Sequence, residues 1–112
     1  MIEVKLCLEA DNRIKSFAVT GHANFSEYGS DIVCAAVSAV TQTAVIGLQH
    51  YFGDAVAVQQ EEGRLTCSLP VLEPGDALIA ETILKTLYWG LRAIEAEYGE
   101  YLHLTVEGGV LE

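Results

Sequence analysis

Along the chain the apolar positions switch between a period of two and a helical period, and each switch marks an element. Ile2, Val4, Leu6 and Leu8 alternate with Glu3, Lys5, Cys7 and Glu9, which reads as a half-buried strand with Cys7 on its polar face. Ala10-Asp11-Asn12-Arg13 predicts a hairpin turn, because Asp and Asn tolerate positive φ. Ile14 to Thr20 is the returning strand; Gly21 ends it, and a loop follows up to Ser30. From about Asp31 to His50, Val33, Val37, Val40, Ala44 and Leu48 recur at helical spacing. Val56 and Val58 predict a short third strand. Glu61-Glu62-Gly63 turns the chain into a fourth, with Leu65, Cys67 and Leu69 on its apolar face. Pro70 to Gly75 links into a second helix with Asp76 as its expected cap. There Ala77, Leu84, Leu87, Leu91, Ile94 and Tyr98 form one stripe, Gly99 signals the end, and Tyr101 to Val106 gives the last strand.

The order β-β-α-β-β-α-β, joined mostly by hairpins, predicts an α+β domain. It is a mostly antiparallel five-stranded sheet with two long helices on one or both faces. Residues 1–110 are read as a single domain, and Leu111-Glu112 could be a cloning scar and is set aside. Gly47 lies inside the first helix, where it costs about 1 kcal/mol against Ala, so a close packing contact is expected there. Trp89 falls off the centre of the second helix's stripe, as an interface anchor or a cap on the edge of the core.

Composition narrows the partners. With 112 residues, 51% of them hydrophobic, the chain can build one core without metal or disulfide staples. Lys plus Arg number 6 against 16 Asp plus Glu, a formal charge of −10. Such a surface disfavours direct contact with nucleic acid and suits a basic polypeptide, or serves solubility alone. The cysteines, Cys7, Cys34 and Cys67, show no Cys-x-x-Cys spacing, which predicts a reducing, cytoplasmic setting. The first residues lack the layout of a signal peptide, and polar residues interrupt the longest apolar helix, so no membrane contact is expected.

Candidate chemistry gathers around the loop before the first helix. Ser30 or Asp31 is the natural N-cap, which puts Cys34 at the third or fourth helical residue, near the positive end of the helix dipole. A cysteine in such a place favours the thiolate, the nucleophilic form. His22 sits at the end of the preceding strand and could serve as its base. The plainer readings are a cysteine buried for packing and a solvated loop histidine. Cys67 reads as a buried small hydrophobe, Cys7 has nothing nearby to activate it, and His50 and His103 carry no supporting signal. Asp31 has two candidate jobs, capping the helix or orienting His22. Ser38, one turn beyond Cys34, could bond back to the Cys34 carbonyl or shape the site. Gly21 and Gly29 are plain turn residues or hinges of a flap, and Phe25 and Tyr28 either contact a bound peptide or tuck into the core. The Cys and His residues offer metal-ligand types without clustered spacing, so no metal and no cofactor is expected.

Gly21-His22-Ala23, followed by Gly29-x-Asp31-Ile32-Val33-Cys34-Ala35-Ala36-Val37-Ser38, resembles the signature of the ribosomal-processing cysteine proteases of bacteria. The length and element order fit that family end to end. The resemblance implies Cys34 as nucleophile and His22 as general base, with Asp31 and Ser38 as supports and Gly21 and Gly29 as loop hinges. It further implies a basic ribosomal protein as substrate, the large-subunit protein called L-twenty-seven, trimmed of its N-terminal extension after a motif of large apolar and aromatic residues. The resemblance also implies a homodimer, and we expect as a hypothesis that residues 22–33 form a substrate-gated loop that closes on the peptide. The competing reading is a non-enzymatic dimeric adaptor that binds a basic ribosomal or assembly protein.

Overall fold

The computed structural model describes residues 1–27 and 29–111; the candidate peptide contact Tyr28 lies outside the described residues, as does Glu112. Five strands form one sheet: β1 (Ile2–Leu8), β2 (Ile14–Thr20), β3 (Ala57–Glu61), β4 (Arg64–Ser68) and β5 (Leu102–Glu107), in the order β3-β4-β2-β1-β5. Two helices, α1 (Ile32–Phe52) and α2 (Pro74–Tyr98), interrupt the strands, and a 3-10 turn, Gly53–Ala55, follows α1. The expected element order holds throughout.

The hairpins behave as their sequences dictate. β1 and β2 pair antiparallel, with Leu6 opposite Phe17 and Val4 opposite Val19. The turn between them places Asn12 at φ 65°, with the Asp11 carboxylate accepting from the Arg13 N–H at 3.1 Å. The sheet is mixed rather than purely antiparallel: β1–β2, β2–β4 and β3–β4 are antiparallel, while β5 lies parallel to β1. A hairpin must reverse the chain, but a helical crossover need not. α2 carries the chain from β4 across to the far edge, where β5 enters in the direction of β1.

Alternation in β1 buries Ile2, Val4, Leu6 and Leu8 and leaves Glu3 and Lys5 exposed. The sheet therefore has one wet face and one dry one. Onto the dry face α1 brings Val33, Val37, Thr41, Ala44, Val45 and Leu48, and α2 brings Ala80, Leu84, Leu87, Tyr88 and Leu91. Each large apolar side chain buried this way contributes about 1.5–3 kcal/mol. Residues 32–55 are long and apolar enough, by length and composition, to cross a membrane; the buried stripe of α1 is instead committed to this core. Thr41 sits within it because its hydroxyl donates to the Val37 carbonyl at 2.7 Å.

Two local expectations change. α2 starts at Pro74, with Glu73 as the cap residue and Asp76 inside the first turn. Proline has no N–H to leave unsatisfied at a first helical position, so it sets the start and displaces Asp76 from the cap. Gly47 faces α2, but a Cβ there would meet Ile83 Cδ1 at 3.8 Å, an ordinary contact; the helices do not approach closely enough to require glycine.

Candidate active site

The loop from Gly21 to Ser30 crosses the end of the sheet and delivers His22 beside the start of α1. Gly21 adopts φ +88°, and a Cβ there would run into the Met1 carbonyl oxygen, so only glycine lets the loop leave β2 along this path. Its N–H donates to the Gly63 carbonyl at 2.9 Å, tying the loop to the turn between β3 and β4. Ala23, the next residue but one, is buried and anchors the loop in the core.

Asp31 is the N-cap of α1 and sets the position of Cys34 as the third helical residue. Its Oδ1 accepts from the Val33 and Cys34 N–H groups, both at 3.0 Å. Its Oδ2 accepts from Phe25 at 2.9 Å and from Ser26 at 3.3 Å. One carboxylate thus caps the helix and fastens the loop. Burial by itself would raise the Asp31 pKa, but these four backbone donors outweigh it and hold the carboxyl below the ordinary aspartate value. Both oxygens are engaged with main chain, and no bond from Asp31 to His22 is among those of the described residues. The arrangement favours capping over the orientation of His22.

Cys34 is half-buried, and its Sγ accepts the Ala23 N–H at 3.3 Å. A donor aimed at sulfur suits a negatively charged form. The amide of Cys34 itself is occupied by Asp31, which changes the picture for stabilising an oxyanion. The donor found at the sulfur is the Ala23 amide, next in sequence to His22, rather than the first amides of the helix.

His22 and Cys34 line one cleft of about 460 Å³, whose walls also carry Asn24, Gly29, Asp31, Ala35, Ser38 and Glu62. A smaller hollow of about 180 Å³ shares His22, Cys34 and Ser38 and extends toward Gln60, Glu61 and Arg64. The histidine and cysteine therefore stand where two depressions meet. Neither Cys7 nor Cys67 lines them. Cys67 is sealed in β4, and burial pushes its thiol up to about 11. Cys7 lies on β1, its thiol 4.0 Å from the Glu107 carboxylate.

The remaining candidates divide. Ser38 lines the cleft, but its hydroxyl accepts from Gln42 Nε2 at 2.7 Å instead of bonding back to Cys34. Gly29 also lines it, at φ +90°. Phe25 points elsewhere: its ring packs edge-on against Tyr98 and Tyr101, with centroids 5.7 and 5.1 Å away. The residue nevertheless stays 40% exposed, so these contacts leave part of it open to a peptide. The residues that sequence reasoning passed over are Ala23, Asn24 and Glu62. Asn24 holds φ 56°, and an Asn in a glycine-bounded loop was the available signal. Glu62 reaches the cleft only because β3 and β4 fold back beside the loop.

A family model described as cysteine protease Prp matches residues 1–103. The chain belongs to this family. The ribosomal processing cysteine protease Prp of Bacillus subtilis (strain 168) is 32% identical over 108 residues, 94% of this chain and 96% of its own. Its counterpart from Staphylococcus aureus (strain Mu50) is 32% identical over 107 residues, 93% and 97% of the two chains. The crystal structure of the essential ribosomal processing protease Prp from S. aureus with a covalently linked product peptide matches with a TM-score of 0.85 at 28% identity. It covers 96% of this chain and 100% of that one. The same protease with a substrate peptide matches at 0.79 and 27% identity, with the same coverage. The Prp structures share this sheet and helix arrangement, and the chain is a cysteine protease of the ribosomal processing family. The adaptor reading falls with that.

Proposed function

We propose that this protease removes the N-terminal extension of the large-subunit ribosomal protein L-twenty-seven during ribosome assembly, with Cys34 as nucleophile and His22 as general base. The observation that carries this reading is the meeting of His22 and Cys34 on the wall of one cleft, at the start of α1. That a related Prp holds a covalently linked product peptide supports a reaction through a bond to the enzyme. In that reaction His22 takes the Cys34 thiol proton and the sulfur attacks the scissile carbonyl. The C–N bond breaks as His22 returns the proton to the leaving amine. Water, deprotonated by His22, then cleaves the thioester, releasing the carboxylate product and restoring the thiol. The Ala23 amide, which donates to the Cys34 Sγ at 3.3 Å, favours the thiolate form.

The formal charge of −10 suits a basic ribosomal substrate, made and trimmed in the cytoplasm. Gly29 and the loop around it would move to admit the peptide. A homodimer is part of the same reading. The apolar groove between α1 and α2, about 650 Å³ and lined by Val40, Gly47, Tyr51, Ile83 and Leu87, supports it, as does the exposed Trp89; sedimentation of the purified protein checks it.

The test is cleavage of a peptide spanning the processing site of that ribosomal protein, read by mass spectrometry. Wild type should cut one bond, and Cys34→Ala and His22→Ala should each abolish the cut while remaining folded. Retained cutting by Cys34→Ala would remove the nucleophile assignment, and an intact substrate with folded wild type would remove the substrate assignment.

A further inference from the structure

Gly63, in the turn between β3 and β4, carries no group able to take part in proton transfer, yet it stands so near the histidine that a side chain there would crowd the ring. A Cβ built on Gly63 would lie 3.1 Å from His22 Nε2 and 3.8 Å from both Cδ2 and Cε1. The absence of a side chain at Gly63 therefore leaves room for the Nε2 edge of the imidazole. The same residue accepts the N–H of Gly21, the neighbour of His22, at 2.9 Å. One residue thus fixes the backbone just before the histidine and bounds the space its ring can occupy. Its φ of +73° keeps the carbonyl directed at Gly21 and excludes most side chains.

We propose that Gly63 is a positioning residue for the His22 imidazole: the β3–β4 turn acts as a floor that holds the ring at the angle needed to exchange a proton with Cys34. The proposal rests on the assignment of His22 as general base. It gives a role to the turn that stands beside the loop and shares the cleft. A side chain at residue 63 would press on the ring and turn it, and small misplacements of a catalytic group cost rate far more than binding.

Gly63→Asn is the informative variant, because Asn accepts positive φ and so keeps the turn while placing a Cβ and an amide against the ring. With the processing-site peptide, kcat should fall about 10- to 100-fold while KM stays within about twofold, and the acid limb of the pH profile should move with the histidine. Gly53→Asn is the control for backbone strain without ring contact: Gly53 has φ +62° and ψ −143°, a region that strains any side chain, with nothing within 4 Å of its Cβ position, so it should lose stability but keep wild-type kcat and KM. A Gly63→Asn protein with unchanged kcat, or one whose loss lies in KM, overturns the proposal. Should that variant fail to fold, the wild-type protein still decides. Nuclear Overhauser effects between the Gly63 Hα and the His22 ring protons are expected, and their absence overturns it. His22→Ala run alongside separates the two readings. Full activity there removes the base assignment itself, whereas inactivity there with an unimpaired Gly63→Asn removes only the role of the turn.

Discussion

The two helices begin in opposite ways. α2 starts on Pro74, its cap residue Glu73 makes no side-chain bond to the helix, and Asp76 lies in the first turn. α1 starts on a carboxylate that is only 9% exposed and accepts four backbone N–H bonds, two from the helix and two from the loop before it. Proline merely permits a helix to begin, its φ being preset and its missing N–H not needed. Asp31 does something more: it makes the helix start and the loop one unit. The loop holds His22 and the start holds Cys34, so the relative placement of the two depends on this carboxylate without requiring it to touch either side chain's reacting atom. One helix start is needed only for the fold; the other sets the geometry of the cleft.

The largest expected effect breaks the two apart. Asp31→Ala should lower the cleavage rate about 100-fold, with loss of ordering at Phe25 and Ser26 in amide spectra. Glu73→Ala should leave both rate and fold unchanged. Asp31→Asn falls between them, since its remaining oxygen can still accept from Val33 and Cys34 while its NH₂ group cannot accept from the loop. If Asp31→Ala cleaves as wild type does, the helix start and the loop are held together by something else.

Titration sharpens the same contrast. Burial works against the Asp31 charge, but the four amide bonds prevail and its folded pKa lies below the ordinary 3.8. A carboxyl with a depressed folded pKa stabilises the protein above its unfolded pKa, and that contribution is lost as pH falls through the folded value. Stability from Asp31 should therefore be complete above pH 3.8 and decline only below it. The amides of Phe25, Ser26, Val33 and Cys34 should shift together with one midpoint under 3.8. A midpoint above that value, or four unrelated ones, would show that the carboxylate does not bind them as a unit.

Much of this arrangement was legible in the chain. β1 could be read because its alternation is unbroken, and α1 because Val33, Val37, Ala44 and Leu48 keep one face. The two candidate caps of α1 resolved to Asp31 by geometry that spacing cannot contain. The start of α2 was misread because Asp76 resembles a cap, while Pro74, two residues earlier, sets the boundary. The parallel pairing of β1 with β5 joins the two ends of the fold and leaves no local mark in either strand. Phe25 was ambiguous for a related reason: Tyr98 and Tyr101, which its ring meets, stand at the far end of α2. The histidine and cysteine were recognisable as residue types, but their shared cleft depends on the β3–β4 turn folding back, and no spacing between them predicts that.

The smallest expected effect asks whether the demands on α1 are confined to its start. Gly47 lies in the middle of that helix, where glycine costs about 1 kcal/mol against alanine. The space beside it is adequate, because an added Cβ would meet only Ile83 Cδ1 at 3.8 Å. Gly47→Ala should then stabilise the protein by about 0.5–1 kcal/mol through a more restricted unfolded chain, raise the thermal midpoint by a few degrees, and leave cleavage unchanged. That outcome would fit a helix whose chemistry is fixed in its first turn and whose middle is free to improve. A loss of stability would mean that the groove lined by Gly47, Tyr51 and Leu87 is filled in solution by more than Ile83, as a second copy of the chain would fill it. The change would then be concentration-dependent, and the middle of α1 would carry a constraint of its own.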